Sequence, residues 1–364
     1  MVSKALLVGA YQRKLEEMAA LPDIELTVAV PAAWRDARGL IRLERAHVNG
    51  YRLVVEPIAY NGHFHFHYYP RLGRLMAQVR PQLVHVDEEP YNLATWHALR
   101  LARRHHARTV FFSWQNLMRR YPWPFSAFER EVLRTATGAI AGNQEAQAVW
   151  RAKGFDGPMA VIPQFGVDLE VFRPVERPVG PDRPFVAGYA GRLVREKGVD
   201  ILLQAGAKLP ADVHLRIVGG GPEQTALKRL ADRLGLAGRV AWLPLVPSEQ
   251  MPAEFAQMDC LVLPSRTRPN WKEQFGRVLI EAMACGVPVI GAESGEIPNV
   301  IGAAGWLFPE ADAAALAERL RQLWQQPEAQ ARLSSLGRQR VEALYSQRRV
   351  AEDTVAMYRE LMNH

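Results

Sequence analysis

Short apolar strands alternate with amphipathic helices along this chain, and the alternation occurs twice. The first half predicts strands at Ala5–Val8, Leu26–Val30, Leu83–Val86, Val110–Ser113, Ala139–Ala141 and Val161–Pro163, with helices such as Leu93–Arg104 and Gln144–Lys153 between them. The second half predicts strands at Phe185–Ala190, His214–Val218, Val240–Leu243, Leu261–Leu263 and Pro288–Ile290, with helices at Asp200–Lys208, Glu223–Leu234, Ser248–Met258 and Gly276–Ala284. Because parallel strands need crossover connections, which are usually helices, this order predicts two α/β domains with parallel sheets.

Residues 173–184 (RPVERPVGPDRP) interrupt the alternation, since they are Pro-rich, polar and not periodic. We therefore predict an N-terminal domain over 1–172, a linker over 173–184 and a second domain over 185–347. A chain of 364 residues can supply each of two domains with its own core. Doubly wound sheets bind ligands beyond the carboxyl ends of their strands, so two of them predict an interdomain cleft.

Composition excludes some classes of protein and leaves others open. No run of about 18 uncharged apolar residues or signal-peptide apolar region is present, so a cytoplasmic protein is expected. The two cysteines, Cys260 and Cys285, border apolar segments and are expected to be reduced core thiols. The net charge of +7 suits an anionic substrate, a nucleic acid or an acidic membrane surface. Since no nucleic-acid-binding module is recognisable, we expect no nucleic-acid partner.

Two glutamates, Glu273 and Glu281, mark a segment with the pattern polar loop, helix, Gly cap and buried strand. The free amide groups at the start of this helix, near Gly276, suit an anion. Glu281 lies about one and a half turns into the helix. One carboxylate and the helix start can therefore hold a phosphorylated ligand while the other carboxylate reaches its hydroxyl groups. Glutamates at this spacing also occur on ordinary solvated helix faces, so the surrounding motifs decide between the two interpretations.

The segment resembles the EX7E element of retaining glycosyltransferases of family 4, which have the GT-B fold. Other matching pieces follow the family's order: Gly191-Arg192-Leu193 with Glu196-Lys197-Gly198, Val218 to Pro222 (VGGGP), Leu263-Pro264-Ser265, and Gly166-Val167-Asp168 with Phe172 and Pro174. The resemblance covers about residues 160–310. It implies an α/β, GT-B fold of two doubly wound Rossmann-like domains with an interdomain cleft. It also implies that a C-terminal helix, within 348–364, packs back on the first domain.

The resemblance implies a role for each matching residue. Arg192 and Lys197 would neutralise the departing nucleoside diphosphate, a task that suits a bidentate and a mobile cation, although both can also be surface cations in a turn. Glu273 would bind hydroxyl groups of the donor sugar, and Glu281 would bind the ribose diol. Phe275 and Gly276 would offer backbone amides to the sugar, and Val278 and Leu279 would offer theirs to the phosphates. Gly219 and Gly221 would shape the nucleotide pocket, and Val246 would contact the base.

Retention in this family is attributed to front-face attack, in which the diphosphate helps to deprotonate the acceptor. Glu273 would then not be a covalent nucleophile, although paired carboxylates alone also suit a glycosidase. No Asp-X-Asp occurs in the sequence, so the metal clamp of the other large glycosyltransferase fold is missing. We therefore expect no cofactor and no metal, with the helix start, Arg192 and Lys197 supplying the positive charge.

Three histidines, His63, His65 and His67, alternate with phenylalanines after an Asn-Gly turn. On an extended strand they would share one face. The alternatives are a metal site, a mobile loop on the acceptor side and a patch for a membrane-linked acceptor.

Acidic residues follow the predicted strand Leu83–Val86, namely Asp87, Glu88 and Glu89. They are either acids at a helix N-terminus or ligands of acceptor hydroxyl groups.

Two departures from the family's pattern concern the first domain. Gly9 is what remains of a Gly-rich loop after the first strand, and it is a candidate contact for the nucleotide sugar. Gln115 occupies the place where the family often has a histidine that touches the donor sugar. We assign Gln115 to the catalytic group as a neutral sugar contact, with packing beside Trp114 as the alternative.

These observations predict a retaining GT-B glycosyltransferase that moves a sugar from a UDP- or GDP-linked donor to a saccharide, lipid-linked or small-molecule acceptor. Peripheral contact with the inner face of a membrane is compatible with this activity. The alternative is a nucleotide-sugar-binding subunit with little turnover that supports a partner enzyme.

Overall fold

The computed structural model describes residues 1–36, 39–174 and 183–363. The chain divides into two compact units, the first comprising 1–166 and the chain from Gln347 onward, the second comprising 167–346. The division falls at 166 and not at the predicted 172, because the next residues bond within the second unit. The amide of Val167 donates to the Tyr345 carbonyl at 2.8 Å, and Arg338 donates to the Phe172 carbonyl at 2.9 Å. Most of the predicted linker, 175–182, lies outside the described residues.

The first unit contains a parallel sheet and a short antiparallel hairpin. Its strands are β1 Thr27–Val30, β2 Ala33–Asp36, β3 Gly39–Arg42, β4 Arg52–Val55, β5 Leu83–Val86, β6 Arg108–Ser113, β7 Gly138–Ala141 and β8 Met159–Val161. Its helices are α1 Arg13–Ala19, α2 Leu72–Val79, α3 Leu93–Arg104, α4 Phe125–Thr135 and α5 Gln144–Ala152. The parallel order is β4-β1-Val2-β5-β6-β7-β8, in which Val2 is the one described residue that bridges β1 and β5. β2 and β3 form the hairpin.

Both faces of this sheet are covered, as β6 shows. Phe111 points to one face, where it packs against Trp150 and Phe155. Its neighbours Val110 and Phe112 belong to the core of the opposite face. Because successive side chains of a strand alternate between faces, a strand buried on both sides reads as an uninterrupted apolar run.

The second unit repeats the design around one parallel sheet. Its strands are β9 Phe185–Ala190, β10 Val213–Val218, β11 Val240–Leu243, β12 Cys260–Leu263, β13 Val289–Ala292 and β14 Trp306–Phe308. Its helices are α6 Val199–Gly206, α7 Gln224–Arg233, α8 Met251–Phe255, α9 Arg277–Ala284, α10 Ile297–Ile301, α11 Ala313–Gln325 and α12 Pro327–Leu344. The strand order is β11-β10-β9-β12-β13-β14. The prediction of two doubly wound α/β domains with parallel sheets is confirmed.

The last helix, α13 Gln347–Asn363, belongs to the first unit. Ala351 and Val355 pack with Leu15 and Met18 of α1. On the same helix, Val350, Met357 and Leu361 pack against the sheet face that carries Val110. Among the described residues, no helix combines the length and the apolar character that crossing a bilayer requires.

The predicted strand at Ala5–Val8 is wrong. Ala5–Leu7 forms a 3₁₀ turn, and the sheet position is occupied by Val2, which pairs in parallel with Ala29 and Val86. Leu6 and Leu7 are buried all the same. The apolar run Ala5–Val8 therefore indicated correctly that its leucines are buried, but not which secondary structure they form.

Candidate active site

The strand order of the second unit reverses between β9 and β12, and the loops after these two strands meet. Such a switch point is where doubly wound sheets bind ligands. Gly198 holds the contact: its φ is +65°, and a Cβ there would lie 1.9 Å from the Pro264 carbonyl oxygen. A side chain at this position would therefore separate the loop that carries Lys197 from the loop that carries Ser265.

Lys197, Glu273 and Ser265 form one hydrogen-bonded cluster at this switch point. Lys197 Nζ lies 2.6 Å from Oε2 of Glu273, and Ser265 Oγ donates to the same oxygen at 2.8 Å. Glu273 is only 6% exposed, so its charge is balanced by Lys197 and not by bulk water. The two predicted catalytic residues, which are far apart in sequence, are therefore brought together.

The start of α9 lies just beyond this cluster. Gly276 is the N-cap residue, and as a glycine it supplies no capping side chain. The positive end of the helix dipole at this point suits an anionic group. Leu279 differs from the expectation, because its amide already donates to the Gly276 carbonyl at 2.8 Å. Phe275 is buried and packs edge-on against Tyr345. Val278 is half-buried in the first turn of α9.

Glu281 is buried on α9 and is paired within its own helix. Arg277 Nε lies 2.9 Å from its Oε1, one turn away. Burial raises the pKa of Glu281 above its ordinary value, and Arg277 opposes that shift. The carboxylate that is predicted to hold a ribose diol is thus positioned by a neighbouring guanidinium.

Glycines allow the loops after β9 and β10 to pack closely. Gly219 has a φ of +139°, and a Cβ there would lie 1.9 Å from the Gly191 carbonyl oxygen. A Cβ on Gly221 would lie 2.3 Å from the Leu193 carbonyl oxygen. Tyr189 anchors the same turn, since its buried hydroxyl donates to the Arg192 carbonyl at 2.8 Å.

The loops after β9, β10 and β12 line a cavity of about 540 Å³. Its lining residues are Val194, Arg195, Glu196, Pro222, Glu223, Arg268, Pro269, Asn270 and Trp271. The cavity thus adjoins the cluster, because Glu196 precedes Lys197 in the chain. The Arg192 side chain is exposed, and Val246 is half-buried in the loop after β11; neither belongs to the lining.

Sequence reasoning missed two contributors to the cluster. The Leu-Pro-Ser motif contains Ser265 but implies no role for it, whereas in the structure its hydroxyl donates to Glu273. Trp271 was not singled out, yet its ring centroid lies 5.2 Å from Lys197 Nζ, within range of a cation–π contact. The LPS motif was the available signal for Ser265, but nothing in the sequence indicated Trp271.

Two predicted site residues lie in the first unit. Gln115 is buried, and both ends of its amide have partners within that unit: Oε1 accepts from Tyr121 Oη at 2.8 Å, and Nε2 donates to the Leu117 carbonyl at 3.1 Å. The amide of Gly9 donates to Oε2 of Glu44 at 2.6 Å. A contact between either residue and the donor sugar stays a prediction.

The histidine segment does not form the expected strand. Residues 61–67 form turns, so the three imidazoles do not share a face: His63 is exposed, His65 is half-buried and His67 is buried. His67 Nδ1 donates to the Phe64 carbonyl at 2.8 Å, and His65 Nδ1 lies 3.1 Å from Oδ1 of Asn92. Alternating polar and aromatic residues here reflect local packing of a turn. No group of three or more potential metal-ligating side chains occurs among the residues described.

Comparison with known families shows which family this chain matches. Residues 15–171 match the family described as Glycosyltransferase Family 4, and residues 175–340 match Glycosyl transferases group 1.

The chain belongs to glycosyltransferase family 4.

Curated relatives and solved structures agree with this assignment. A D-inositol 3-phosphate glycosyltransferase of Mycobacterium tuberculosis is 36% identical over 186 residues, which is 48% of this chain but only 37% of that relative. The match therefore spans little more than a third of the relative's length.

Among solved structures, the sucrose-phosphate synthase of Thermosynechococcus elongatus superimposes with a TM-score of 0.71 at 23% identity, covering 97% of this family 4 chain and 93% of that one. The Anabaena protein HepE, solved in complex with UDP, gives 0.73 at 20% identity, covering 99% and 98%. These likenesses concern the fold, which is GT-B as predicted.

Proposed function

We propose that this protein is a retaining glycosyltransferase that moves a sugar from a UDP- or GDP-linked donor to a saccharide, lipid-linked or small-molecule acceptor. The observation that carries the proposal is the cluster of Lys197, Ser265 and Glu273 beside the start of α9, whose N-cap residue is Gly276. An ammonium and a helix N-terminus suit a diphosphate, and a fixed carboxylate suits sugar hydroxyl groups.

Each element of the cluster has a task in this reaction. The bond between the anomeric carbon and the diphosphate oxygen breaks, so negative charge develops on the departing diphosphate. Lys197 and the start of α9 stabilise that charge, together with Arg192. Glu273 orients the sugar, and Glu281 binds the ribose diol. The acceptor attacks from the face that the diphosphate leaves and gives its proton to the departing diphosphate, so the anomeric configuration is preserved.

Several features support turnover over mere binding. Lys197 is paired with Glu273, and a diphosphate near the helix start would compete for the same ammonium. The alternative of a subunit that binds nucleotide sugars without turnover is not favoured, because Lys197, which is assigned to leaving-group stabilisation, is held in the cluster with Glu273 and Ser265. We further propose that the reaction needs no metal, since cationic side chains and a helix end can supply the required charge.

A thermal-shift screen across UDP- and GDP-sugars tests the donor. A ligand at about 100 times its dissociation constant adds roughly 2.7 kcal/mol of stability. Release of nucleoside diphosphate, with and without candidate acceptors, then tests turnover, and NMR of fresh product reports the anomeric configuration. Activity that EDTA abolishes and Mn²⁺ restores would contradict metal independence, and an inverted product would contradict retention.

Two variants test the site assignment. Glu281→Ala should weaken nucleotide binding, because the ribose hydroxyl groups lose their acceptor. Lys197→Ala should reduce kcat more than affinity, because charge develops in the transition state. The exposed residues Glu328 and Lys208 provide matched controls as Glu328→Ala and Lys208→Ala. Kinetics unchanged from the parent in both site variants would refute the assignment.

We also propose a cytoplasmic location with peripheral membrane contact. Met118 and Trp123 are 58% and 80% exposed, and the exposed Arg119 and Arg120 lie between them in the chain. Aromatic and basic side chains together suit an anionic membrane surface. Co-sedimentation with vesicles containing anionic lipid, compared between the parent and Trp123→Ala, tests this part.

A further inference from the structure

The indole ring of Trp271 lies beside the Lys197 ammonium in the candidate active site. Its centroid is 5.2 Å from Lys197 Nζ, within the range over which an aromatic face attracts a cation. The same ammonium lies 2.6 Å from Oε2 of Glu273. Trp271 is half-buried and the Lys197 side chain is 22% exposed, so water and salt screen the contact only in part. Lys197 is therefore held by two different interactions, an ion pair and a ring face.

A closed turn fixes the backbone that carries Trp271. The Arg268 amide donates to the Trp271 carbonyl at 2.7 Å, and the Trp271 amide donates to the Arg268 carbonyl at 3.2 Å. Pro269 and Asn270 lie between them, and the fixed φ of proline suits the second position of a turn. Glu273 follows shortly after the turn, so the ring and the carboxylate that contact Lys197 belong to one short segment.

Arg266 ties this segment to the loop that carries Lys197. Its amide donates to the Glu196 carbonyl at 2.9 Å, its Nε donates to the Arg195 carbonyl at 3.0 Å, and its Nη2 lies 2.6 Å from Oδ1 of Asp200. These bonds hold the loop on both sides of Lys197 in the chain. The two backbones that carry the ring and the lysine are therefore fixed relative to each other, and only the side chains remain to be ordered.

A ring face suits the ordering of a lysine that must later meet an anion. A free lysine side chain samples many rotamers, and fixing it in one of them opposes catalysis unless the fixing precedes the reaction. A second carboxylate beside Lys197 would order the ammonium but would also compensate its charge. The Trp271 ring carries no net charge, so it attracts the ammonium and leaves that charge for a diphosphate.

We propose that Trp271 is a positioning residue, whose ring face holds the Lys197 ammonium where the departing diphosphate develops its charge. Trp271 acts through Lys197 and needs no contact with donor or acceptor. Because the charge develops as the bond to the anomeric carbon breaks, loss of the ring should lower kcat more than it changes KM for the donor. The inference rests on the proposed function, since it adds a residue to the leaving-group stabilisation of that reaction.

The competing interpretation is that Trp271 only forms a wall, because its ring also belongs to the lining of the cavity of about 540 Å³. The two roles depend on different properties of the ring. Packing depends on its shape and apolar surface, whereas attraction to a cation depends on the electron density of its face. A change that alters the electron density and keeps the shape therefore separates them.

Tryptophan analogues with one to four ring fluorines, incorporated at position 271, make this change. The rate is measured as release of nucleoside diphosphate from UDP-glucose, UDP-N-acetylglucosamine or GDP-mannose, whichever gives the largest thermal shift. We expect log kcat to fall in step with the number of fluorines, to a loss of about three- to tenfold, with KM for the donor unchanged. The same series at Trp242, whose ring centroid lies 5.9 Å from Lys228 Nζ in the same unit, is the matched control and should leave kcat at the parent value. A kcat that does not depend on fluorination at position 271 overturns the proposal.

Natural substitutions test whether the ring acts through the lysine. Trp271→Phe keeps an aromatic face and should retain more activity than Trp271→Leu, which keeps an apolar side chain without a ring. In a Lys197→Met background, which has no ammonium, Trp271→Leu should lower kcat no further. Equal losses for the Phe and Leu variants, or an undiminished loss without Lys197, would assign Trp271 to packing. The fluorinated rings keep their shape, so the test stands even if Trp271→Leu is unstable.

A ligand-free measurement separates the contact from the reaction. In protein labelled with ¹³C-lysine, the Trp271 ring current should shift the ε-CH₂ resonances of Lys197 upfield, and Trp271→Leu should remove the shift; Lys197→Met identifies the signal. Absence of the shift in the parent refutes the contact. If the shift is present but the parent turns over no nucleotide sugar, the proposed function fails and the catalytic role of Trp271 fails with it. If the parent turns over a nucleotide sugar at a rate that fluorination leaves unchanged, the present inference fails while the proposed function stands.

Discussion

The pair of Lys197 and Glu273 should contribute measurably to the stability of the second unit before any ligand binds. The variants Lys197→Met and Glu273→Gln, with their double variant, isolate the coupling between the two side chains. Breaking a buried pair costs about 3–5 kcal/mol, whereas exposed pairs contribute up to about 1 kcal/mol. With side-chain exposures of 22% and 8% and an N–O distance of 2.6 Å, this pair lies between those cases. We therefore expect a coupling free energy of about 2 kcal/mol.

Hydrogen exchange of peptides that cover β9 and β12 is the appropriate assay. The chain has two compact units, so one global unfolding transition cannot be assumed, whereas exchange reports the opening free energy of these strands directly. The pair Glu318–Arg321 in α11 serves as the control, with side chains 52% and 36% exposed. Its coupling should be about 0.3–0.5 kcal/mol. A Lys197–Glu273 coupling no larger than this control would show that solvent screens the pair and would refute the reasoning.

Three further predictions follow from individual contacts. Gln115→Ala should lower turnover at least tenfold, about 1.4 kcal/mol, if its amide also contacts the sugar; kinetics like the parent's would assign Gln115 to packing with Tyr121 alone. Burial raises the pKa of Glu89 to about 7, so the folded protein retains this proton at a pH where the unfolded chain loses it. The unfolding free energy should therefore fall by about 3 kcal/mol for this group as pH rises from about 4.5 to 7. Urea titrations at several pH values measure this dependence, and Glu89→Gln should remove the part of it that Glu89 contributes. Gly198→Ala should reduce both thermal stability and turnover, because a Cβ at φ +65° would meet the Pro264 carbonyl; an unchanged melting temperature would contradict that contact.

Local patterns in the sequence predicted elements in both units, and in the first unit β5 and α3 have the predicted bounds. β9 and β11 also have the predicted bounds, because each is an apolar run between turn residues. Near the N-terminus the same kind of run, Ala5–Val8, misled the prediction, since one residue, Val2, makes the connection in the sheet and the leucines are buried from a 3₁₀ turn. Periodicity reports burial, and only partner strands decide which residues join a sheet.

The residues of the candidate site could likewise be predicted from the sequence, whereas most of their contacts could not. Motif order placed Lys197, Glu273 and Gly276 at one sheet edge, which the structure reproduces. That Lys197 and Ser265 bind the same carboxylate oxygen depends on how two loops pack around Gly198, and no local pattern encodes that contact. For the same reason the sequence did not indicate that Glu281 is paired with Arg277, or that Gln115 has both amide ends occupied.

The path of the chain makes the second unit an insertion within the first. It begins at Val167 and ends at Ser346, which pair in a parallel bridge, and the Val167 amide donates to the Tyr345 carbonyl at 2.8 Å. Adjacent ends permit a segment to be excised, replaced or circularly permuted without stretching the host. A whole α/β module can therefore be exchanged between relatives by recombination at two neighbouring points, while the helix that completes the first unit stays with its own sheet.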